Sequence, residues 1–301
     1  MSHDVLVFCT VFAISYVWHG LGVTVGYHRL LTHRSFACPK WLEYQFALAG
    51  YLALQGSPLW WVTMHRAHHR YQDTPLDPHT PTRGLWYAYG GWITQKQYPS
   101  HINPALQTKD MIDDPLYSFL DRGGDWHQAY LLLLVNFIAF RLVIWALLGP
   151  VAALASLAAG IIILQIPLIL NVACHMPSLG YKTYNTRDNS VNVWWVSLLG
   201  FGEGWHNNHH ASPGSARTGM KPFEFDVSWG TILLLKRLGL VSKINEVTPA
   251  QLMMMENARK KQDIPHVEFA TEFATRKAKS TRVAAHTARV ARKVSSRVSS
   301  R

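Results

Sequence analysis

Four long apolar segments most constrain what this 301-residue chain can fold into. Residues 5–27 and 151–170 contain no Asp, Glu, Lys or Arg, and residues 130–148 contain only Arg141. A helix needs about 20 apolar residues to cross the hydrocarbon core of a bilayer, and these three segments are that long. Charged residues make up 16% of the chain, well below the roughly 25% of ordinary soluble domains. The segments therefore predict transmembrane helices, in preference to the buried helices of a soluble all-α enzyme.

The remaining segment, residues 44–62, is interrupted near its end by Gly56-Ser57-Pro58. Lys and Arg are frequent in the long connections, whereas the loop between the last two segments is the uncharged Gly149-Pro150. The positive-inside bias then places every sizeable loop in the cytoplasm. This topology requires residues 44–62 to enter and leave on one face, as a re-entrant or interfacial helix.

Two later stretches, residues 191–199 and 227–240, have an amphipathic pattern. Each has a polar face and an apolar face, and their tryptophans are suited to the depth of the lipid headgroups. We therefore expect interfacial helices there, with Trp194, Trp195 and Trp229 at the membrane surface.

Nine of the sixteen histidines follow or close these segments, in four groups with the spacings HxxxxH, HxxHH, NxxxH and HxxHH. Residues three and four apart share a side of a helix, so each HxxHH group can direct several imidazoles at one or two ions. Imidazole binds iron, copper, zinc and nickel. The groups predict a metal site built from His28, His33, His65, His68, His69, Asn171, His175, His206, His209 and His210.

Carboxylates are scarce around these histidines. Glu203 and His206 form an ExxH motif, but the soluble carboxylate di-iron bundles need two such motifs, and a second is missing. We therefore expect Glu203 to orient an imidazole from behind, and not to bind the metal itself. Asp73, Asp77 and His79 lie in a proline-rich stretch, where we expect them to be structural or to face the headgroups.

The sequence around the histidines resembles that of a known protein family. The segments GYHRLLTHRSF, HRAHHRYQDTPLDPHTPTRG and FGEGWHNNHHASPGSAR are similar to the three histidine boxes of membrane fatty acyl Δ9-type desaturases, the family that includes stearoyl-CoA desaturases. The resemblance covers residues 17–244, and the stretch after the third box is most similar to the bacterial and cyanobacterial branch. It implies an all-α integral membrane protein, with transmembrane helices, interfacial helices and a cytoplasmic, histidine-rich di-iron cap.

The resemblance also implies the chemistry. Such a protein is an oxidoreductase that introduces a cis double bond, at the Δ9 position, into a saturated acyl chain. Its cofactors are two iron ions, held by the nine histidines and by a water on Asn171, with O2 as co-substrate. Gln55 and Trp61 match family residues that line the acyl tunnel.

Two departures from the family pattern bear on partners and substrate. The family usually has one more span before the first box, so we expect either a start at an internal methionine or an enzyme with three spans. Animal acyl-CoA enzymes carry an Arg-Asp pair where Thr63-Met64 stand here. We therefore expect a chain bound as a lipid ester or to an acyl carrier at least as strongly as acyl-CoA. No cytochrome b5-like module is recognisable, so we expect a separate electron donor, a ferredoxin or a cytochrome b5-like protein.

Two other functions compete with desaturation. A histidine-box di-iron lipid or alkane hydroxylase would share the metal, but those families use HxxxH and HxxxHH boxes, which are not the spacings found here. A metal transporter or store would carry ligands within its spans, where the apolar segments offer only His19 and Arg141. The spacings favour the desaturase.

The basic charge of the chain is concentrated at its end. Residues 256–301 contain 12 Lys and Arg against 4 Asp and Glu, out of a net charge of +11. We expect a membrane desaturase domain over residues 1–250 and a basic, disordered C-terminal tail over residues 251–301. Contact of the tail with anionic lipids is an alternative explanation for its basic charge. Nucleic acid is not an expected partner, because no aromatic residue follows Phe273 to stack on bases.

Overall fold

The computed structural model describes residues 2–94 and 98–260, and most of this part of the chain is helical. Two π-helices, Gly22–Thr32 and Tyr87–Gly91, three short 3-10 helices and isolated β-bridges complete the regular structure of the described residues. The α-helices are α1 (His3–Leu21), α2 (Lys40–Tyr51), α3 (Pro58–Tyr71), α4 (Pro104–Gln107), α5 (Pro115–Asp121), α6 (Trp126–Leu148), α7 (Pro150–Ala173), α8 (Trp194–Leu199), α9 (His206–Ala211), α10 (Val227–Arg237) and α11 (Pro249–Lys260). The all-α prediction is confirmed.

Three helices are long and apolar enough to cross a membrane: α1 with its π-helical continuation (His3–Thr32), α6 and α7. They coincide with the three uninterrupted apolar segments of the sequence. Between α6 and α7 the chain turns at Gly149, whose φ of +86° is accessible to glycine at little cost, and Pro150 begins α7. The predicted spans and the tight turn are confirmed.

The interrupted segment forms two helices. α2 ends at Tyr51 and α3 begins at Pro58, after Gly56 adopts a φ of +82° and the Ser57 hydroxyl accepts a hydrogen bond from the Trp60 N–H. Proline is favoured in the first turn of a helix, because its missing N–H has no intrahelical partner there. The Gly-Ser-Pro sequence therefore lies in the break between the two helices and starts α3, as its composition predicts.

Small residues let α2 pack closely on the first span. A Cβ added at Gly22 would collide with the backbone nitrogen of Gly50, and one at Gly26 would lie 2.7 Å from the Cβ of Phe46. Gly22 and Gly26 are four residues apart, the spacing that lets membrane helices approach closely. The same stretch of the first span is π-helical and carries His28.

A buried arginine fixes the depth of the turn between α2 and α3. Arg141 of α6 donates to the carbonyl of Leu52 at 2.8 Å and lies 3.1 Å from Nε2 of His19. Nδ1 of His19 in turn lies 2.7 Å from the carbonyl of Ala49. The two side chains thus satisfy carbonyls left free at the end of α2, well inside the lengths of α1 and α6. The re-entrant or interfacial placement of this segment in the membrane stays a prediction.

The amphipathic stretches are helical in part. α10 covers residues 227–237, and its Leu234 is exposed, which suits an interfacial helix. The helix predicted over residues 191–199 begins only at Trp194. The prediction of a helix is therefore wrong for residues 191–193. Val191 and Asn192 instead form backbone hydrogen bonds with Cys174 and Tyr181. α11 crosses residue 250, the predicted end of the membrane domain, and residues 261–301 of the predicted tail lie outside the described residues.

We predict that Arg141→Leu destabilises the protein, because the carbonyl of Leu52 and Nε2 of His19 lose their donor. Each buried acceptor left without a partner costs about 1–3 kcal/mol. At about 2–4 °C per kcal/mol for a chain of this order of size, the unfolding midpoint in detergent should fall by roughly 5–10 °C. The matched control is Asn136→Leu, since the Asn136 amide donates within its own helix to Leu132. Equal midpoints for the two variants would contradict the role given to Arg141.

Candidate metal centre

The nine predicted histidines come together in two groups. Within each group, one ring nitrogen of every histidine lies within 4.8 Å of those of the others. The five-histidine group consists of His28, His33, His65, His69 and His209. The four-histidine group consists of His68, His175, His206 and His210. Residues that are 182 positions apart along the sequence thus share one site, beside the ends of the first and last spans.

Each HxxHH motif contributes to both groups. On α3, His65 and His69 are four residues apart and belong to the five-histidine group, while His68 belongs to the other. On α9 the division is reversed, because His206 and His210 belong to the four-histidine group and His209 to the other. The two short helices therefore hold the groups next to each other.

The Nε2 atoms face inwards. In the four-histidine group, Nε2 of His68 lies 3.4 Å from that of His210, and Nε2 of His175 lies 3.1 Å from that of His206. In the five-histidine group, Nε2 of His209 lies 3.1 Å from that of His28 and 3.0 Å from that of His69. The other ring nitrogen, Nδ1, is turned outwards in several of these rings.

Four carboxylates stand behind the rings. Asp77, Asp73 and Asp188 lie 2.9, 3.1 and 2.8 Å from Nδ1 of His68, His175 and His210, and Glu203 contacts Nδ1 of His28. An ionised carboxylate only accepts hydrogen bonds, so the proton of a neutral ring is on Nδ1 and the lone pair on Nε2.

This tautomer tests whether the site suits a metal. Nε2 of His68 and Nε2 of His210 then direct lone pairs at each other across 3.4 Å, in a buried space. Such an arrangement is repulsive unless a cation lies between the nitrogens. Histidine ligands of metals are ordinarily held by a carboxylate or carbonyl on the opposite nitrogen, which is the pattern found here. The donor set therefore fits one metal ion in each group.

The sequence predicts the role of some of these carboxylates and not of others. Glu203 does lie behind an imidazole, as its expected role requires. Asp73 and Asp77 both contact histidines of the site, which agrees with the structural role that was one of the two expected alternatives. The other alternative, facing the headgroups, is wrong for Asp77, which is 1% exposed. Asp188 was missed altogether. Asp188 lies 22 residues before His210, so no helical spacing connects the two residues. The one indication in the sequence was that acidic residues are scarce between the two histidine motifs.

The environment keeps most rings neutral. Burial lowers the pKa of four of them well below the ordinary histidine value: His65, His69, His206 and His209. His175 differs, because burial opposes its charge but the Asp73 carboxylate raises its pKa to about 8. Since imidazole binds a metal only in its neutral form, His175 must release a proton when it becomes a ligand.

A buried arginine holds Glu203 in place. Arg29, 1% exposed, donates to Oε1 of Glu203 at 3.0 Å, and its other Nη atom lies 3.0 Å from Oδ1 of Asp226. The second oxygen of Glu203 faces Nδ1 of His28. Arg29 and His28 are adjacent on the π-helix, so this network fastens the first histidine box to the segment of the third.

A cavity extends from the histidines between the spans. Its wall near the site includes Asn171 and Trp61, whose ring centroid lies 4.8 Å from that of His65. The rest of the wall is largely apolar and includes Val23, Ile163, Ile166 and Phe201. Gln55 is not part of this wall. It is buried before α3, and its amide nitrogen has no hydrogen-bond partner among the described residues.

The chain matches known proteins over most of its length. Residues 5–222 match the family model described as fatty acid desaturase. The chain is 42% identical over 226 residues to sn-1 stearoyl-lipid 9-desaturase of Anabaena variabilis, an alignment that covers 75% of this chain and 79% of that protein. It is 37% identical over 248 residues to Delta-9 acyl-lipid desaturase 1 of Arabidopsis thaliana, covering 82% and 78%. It is also 39% identical over 241 residues to acyl-CoA C20 Delta5-desaturase of Anemone leveillei, covering 79% and 73%.

We predict that Arg29→Met destabilises the protein by about 3–5 kcal/mol, because it leaves two buried carboxylates without their counter-ion. Arg34→Met is the matched control. Its guanidinium also pairs with an aspartate, Asp110, but the side chain is 57% exposed, and such pairs contribute about 0–1 kcal/mol. Thermal or denaturant unfolding in detergent measures both. Equal losses of stability would show that burial of the Arg29 network has no energetic consequence.

Proposed function

The chain belongs to the fatty acid desaturase family, and on that premise we propose that it introduces a cis double bond at the Δ9 position of a saturated acyl chain esterified in a membrane lipid. The observation that carries the proposal is the apolar cavity that ends at the two histidine groups. Its largely apolar wall suits an extended hydrocarbon segment with methylenes directed at the site. Two of the relatives described above are named as acyl-lipid 9-desaturases, which supports both the position and the lipid ester.

We propose two iron ions as the cofactors and O2 as co-substrate. When bound, iron would supply the O2-derived oxidant that breaks an unactivated C–H bond, chemistry that amino-acid side chains do not provide. The nine imidazoles would hold the two ions, and the carboxylates behind them would fix the ring orientation. Asn171, buried in the cavity wall beside His206, would hold a water near the site.

The apolar wall has a chemical role of its own. Val23, Ile163 and Phe201 would contact the acyl chain and exclude water, which limits side reactions at the site. No acid or base has to act on the substrate, so the carbon that reacts is chosen by how the wall positions the chain. Trp61, between His65 and Tyr27, is the residue that we propose to set the bend of the chain.

The form of the substrate follows from the residues before the second box. Thr63 and Met64 are both buried in α3, so neither offers a charge to the phosphates of a CoA thioester. This favours a lipid ester over acyl-CoA, although one relative is named as an acyl-CoA Δ5-desaturase. Histidine-box hydroxylation, the runner-up, gains no support from any contact of the site.

Desaturation requires electrons from outside the chain. Removing two hydrogens supplies two electrons, whereas reduction of O2 to water needs four, so a donor must supply the other two. We propose a separate one-electron carrier, a ferredoxin or a cytochrome b5-like protein, on the cytoplasmic side. The exposed Arg70 and Arg187 adjoin His69 and Asp188 in sequence, and they would attract an acidic carrier to this side of the site.

Expression in a desaturase-deficient host tests the proposed function. Mass spectrometry of derivatised fatty acids, lipid class by lipid class, should reveal Δ9-monounsaturated chains in membrane lipids. His69→Ala and His209→Ala should abolish the product, because each removes a nitrogen that faces the shared space of the five-histidine group.

The matched control is His127→Ala, since His127 is an exposed histidine at the start of α6. It should make the wild-type product. Full activity in either His69→Ala or His209→Ala would contradict the ligand assignment. A hydroxylated product from the wild type would contradict desaturation and favour the runner-up.

We predict that Trp61→Ala loosens the fit of the acyl chain. The variant should show lower turnover or a mixture of double-bond positions, because the ring forms the wall next to His65. Trp86→Ala is the control, since Trp86 is 75% exposed and lies outside the cavity wall. The positions of double bonds measure both variants. A single isomer at the wild-type rate from Trp61→Ala would remove this residue from the proposed channel without affecting the histidine assignment.

A further inference from the structure

The two histidine groups differ in the charges behind their rings. In the four-histidine group, three of the four rings contact an aspartate through Nδ1, and all three aspartates are nearly inaccessible to solvent. A ring that donates to a carboxylate is a more basic ligand, and the negative charges also attract the bound cation directly. These pairs are His68 with Asp77, His175 with Asp73, and His210 with Asp188.

The five-histidine group has weaker support. Only His28 contacts a carboxylate, and that carboxylate, Glu203, is also bonded by the Arg29 guanidinium at 3.0 Å, which offsets part of its charge. Nδ1 of His69 lies 3.3 Å from the side-chain amide of Gln72, a neutral group. Among the described residues, one carboxylate therefore contacts these five rings, against three in the four-histidine group.

Accessibility differs in the same direction. All four rings of the four-histidine group belong to buried residues, whereas three members of the five-histidine group are partly exposed: His33, His65 and His69. Water and competing ligands can reach a bound ion more easily through partly exposed rings. Burial also lowers the local dielectric constant, which strengthens the attraction of the three aspartates for an ion in the four-histidine group.

We propose that the two metal positions are unequal: the four-histidine group retains its ion tightly, and the five-histidine group holds an exchangeable one. This inference rests on the proposed function, since it requires one metal ion in each group. Loss of a single partner behind a metal-binding histidine weakens metal affinity about 10–100-fold. Three carboxylates against one that is shared with Arg29 should therefore separate the two release rates by at least tenfold.

Release of iron from the purified full-length protein tests the proposal. The protein is loaded with Fe²⁺ without oxygen and mixed with excess chelator, and the chelate is followed by absorbance while residual iron is measured by mass spectrometry. We expect two phases of one equivalent each, with rates that differ at least tenfold. His33→Ala should lose the fast phase, and His206→Ala should lose the slow one.

Asp188→Asn should accelerate the slow phase about 10–100-fold and leave the fast phase unchanged. Asp113→Asn, which changes an exposed aspartate outside both groups, should alter neither phase. The wild-type measurement stands on its own if Asp188→Asn does not fold.

A single wild-type phase that releases two equivalents would overturn the inequality and leave the proposed function standing. A slow phase that Asp188→Asn does not change would overturn the inequality in the same way. A protein that holds no iron after loading would overturn the inequality and the proposed function together.

Discussion

Nitrogen lone pairs that face one another in a buried space are the constraint on which the rest of this structure depends. Neutral imidazoles meet through Nε2 at 3.0–3.4 Å, and a cation in each group would turn their repulsion into binding. The carboxylates behind the rings keep Nε2 free of a proton. Arg29 in turn donates hydrogen bonds to one of those carboxylates, Glu203. The constraint thus extends from the ring nitrogens to the charged groups around them.

The membrane-spanning helices deliver the histidines to this site. The first span carries His28 on its π-helical end, and α7 ends at Ala173, just before His175. α3 starts deep between the spans, at the turn that Arg141 and His19 fix, and runs back to the site. One helical hairpin thus connects the interior of the membrane region with the metal centre, which is why a polar pair is tolerated in apolar spans.

Local patterns in the sequence predict the local features of this structure. The length of the apolar segments predicts the three spans, and the Gly-Ser-Pro break predicts the start of α3. The histidine spacings identify all nine rings that converge. The spacings do not predict the division into two groups, because each HxxHH motif serves both. Contacts such as Asp73 with His175, 102 residues away, arise from tertiary packing, so the sequence alone does not indicate that Asp73 supports a histidine.

X-ray absorption at the iron edge of the loaded protein tests the central claim most directly. The claim is that imidazole nitrogen binds both ions and that carboxylates act only from behind the rings. The spectrum should show nitrogen ligands with the outer-shell scattering of imidazole, and it should be unchanged in the control Asp113→Asn. A carboxylate bridge between two irons, or ligation dominated by oxygen, would contradict the claim.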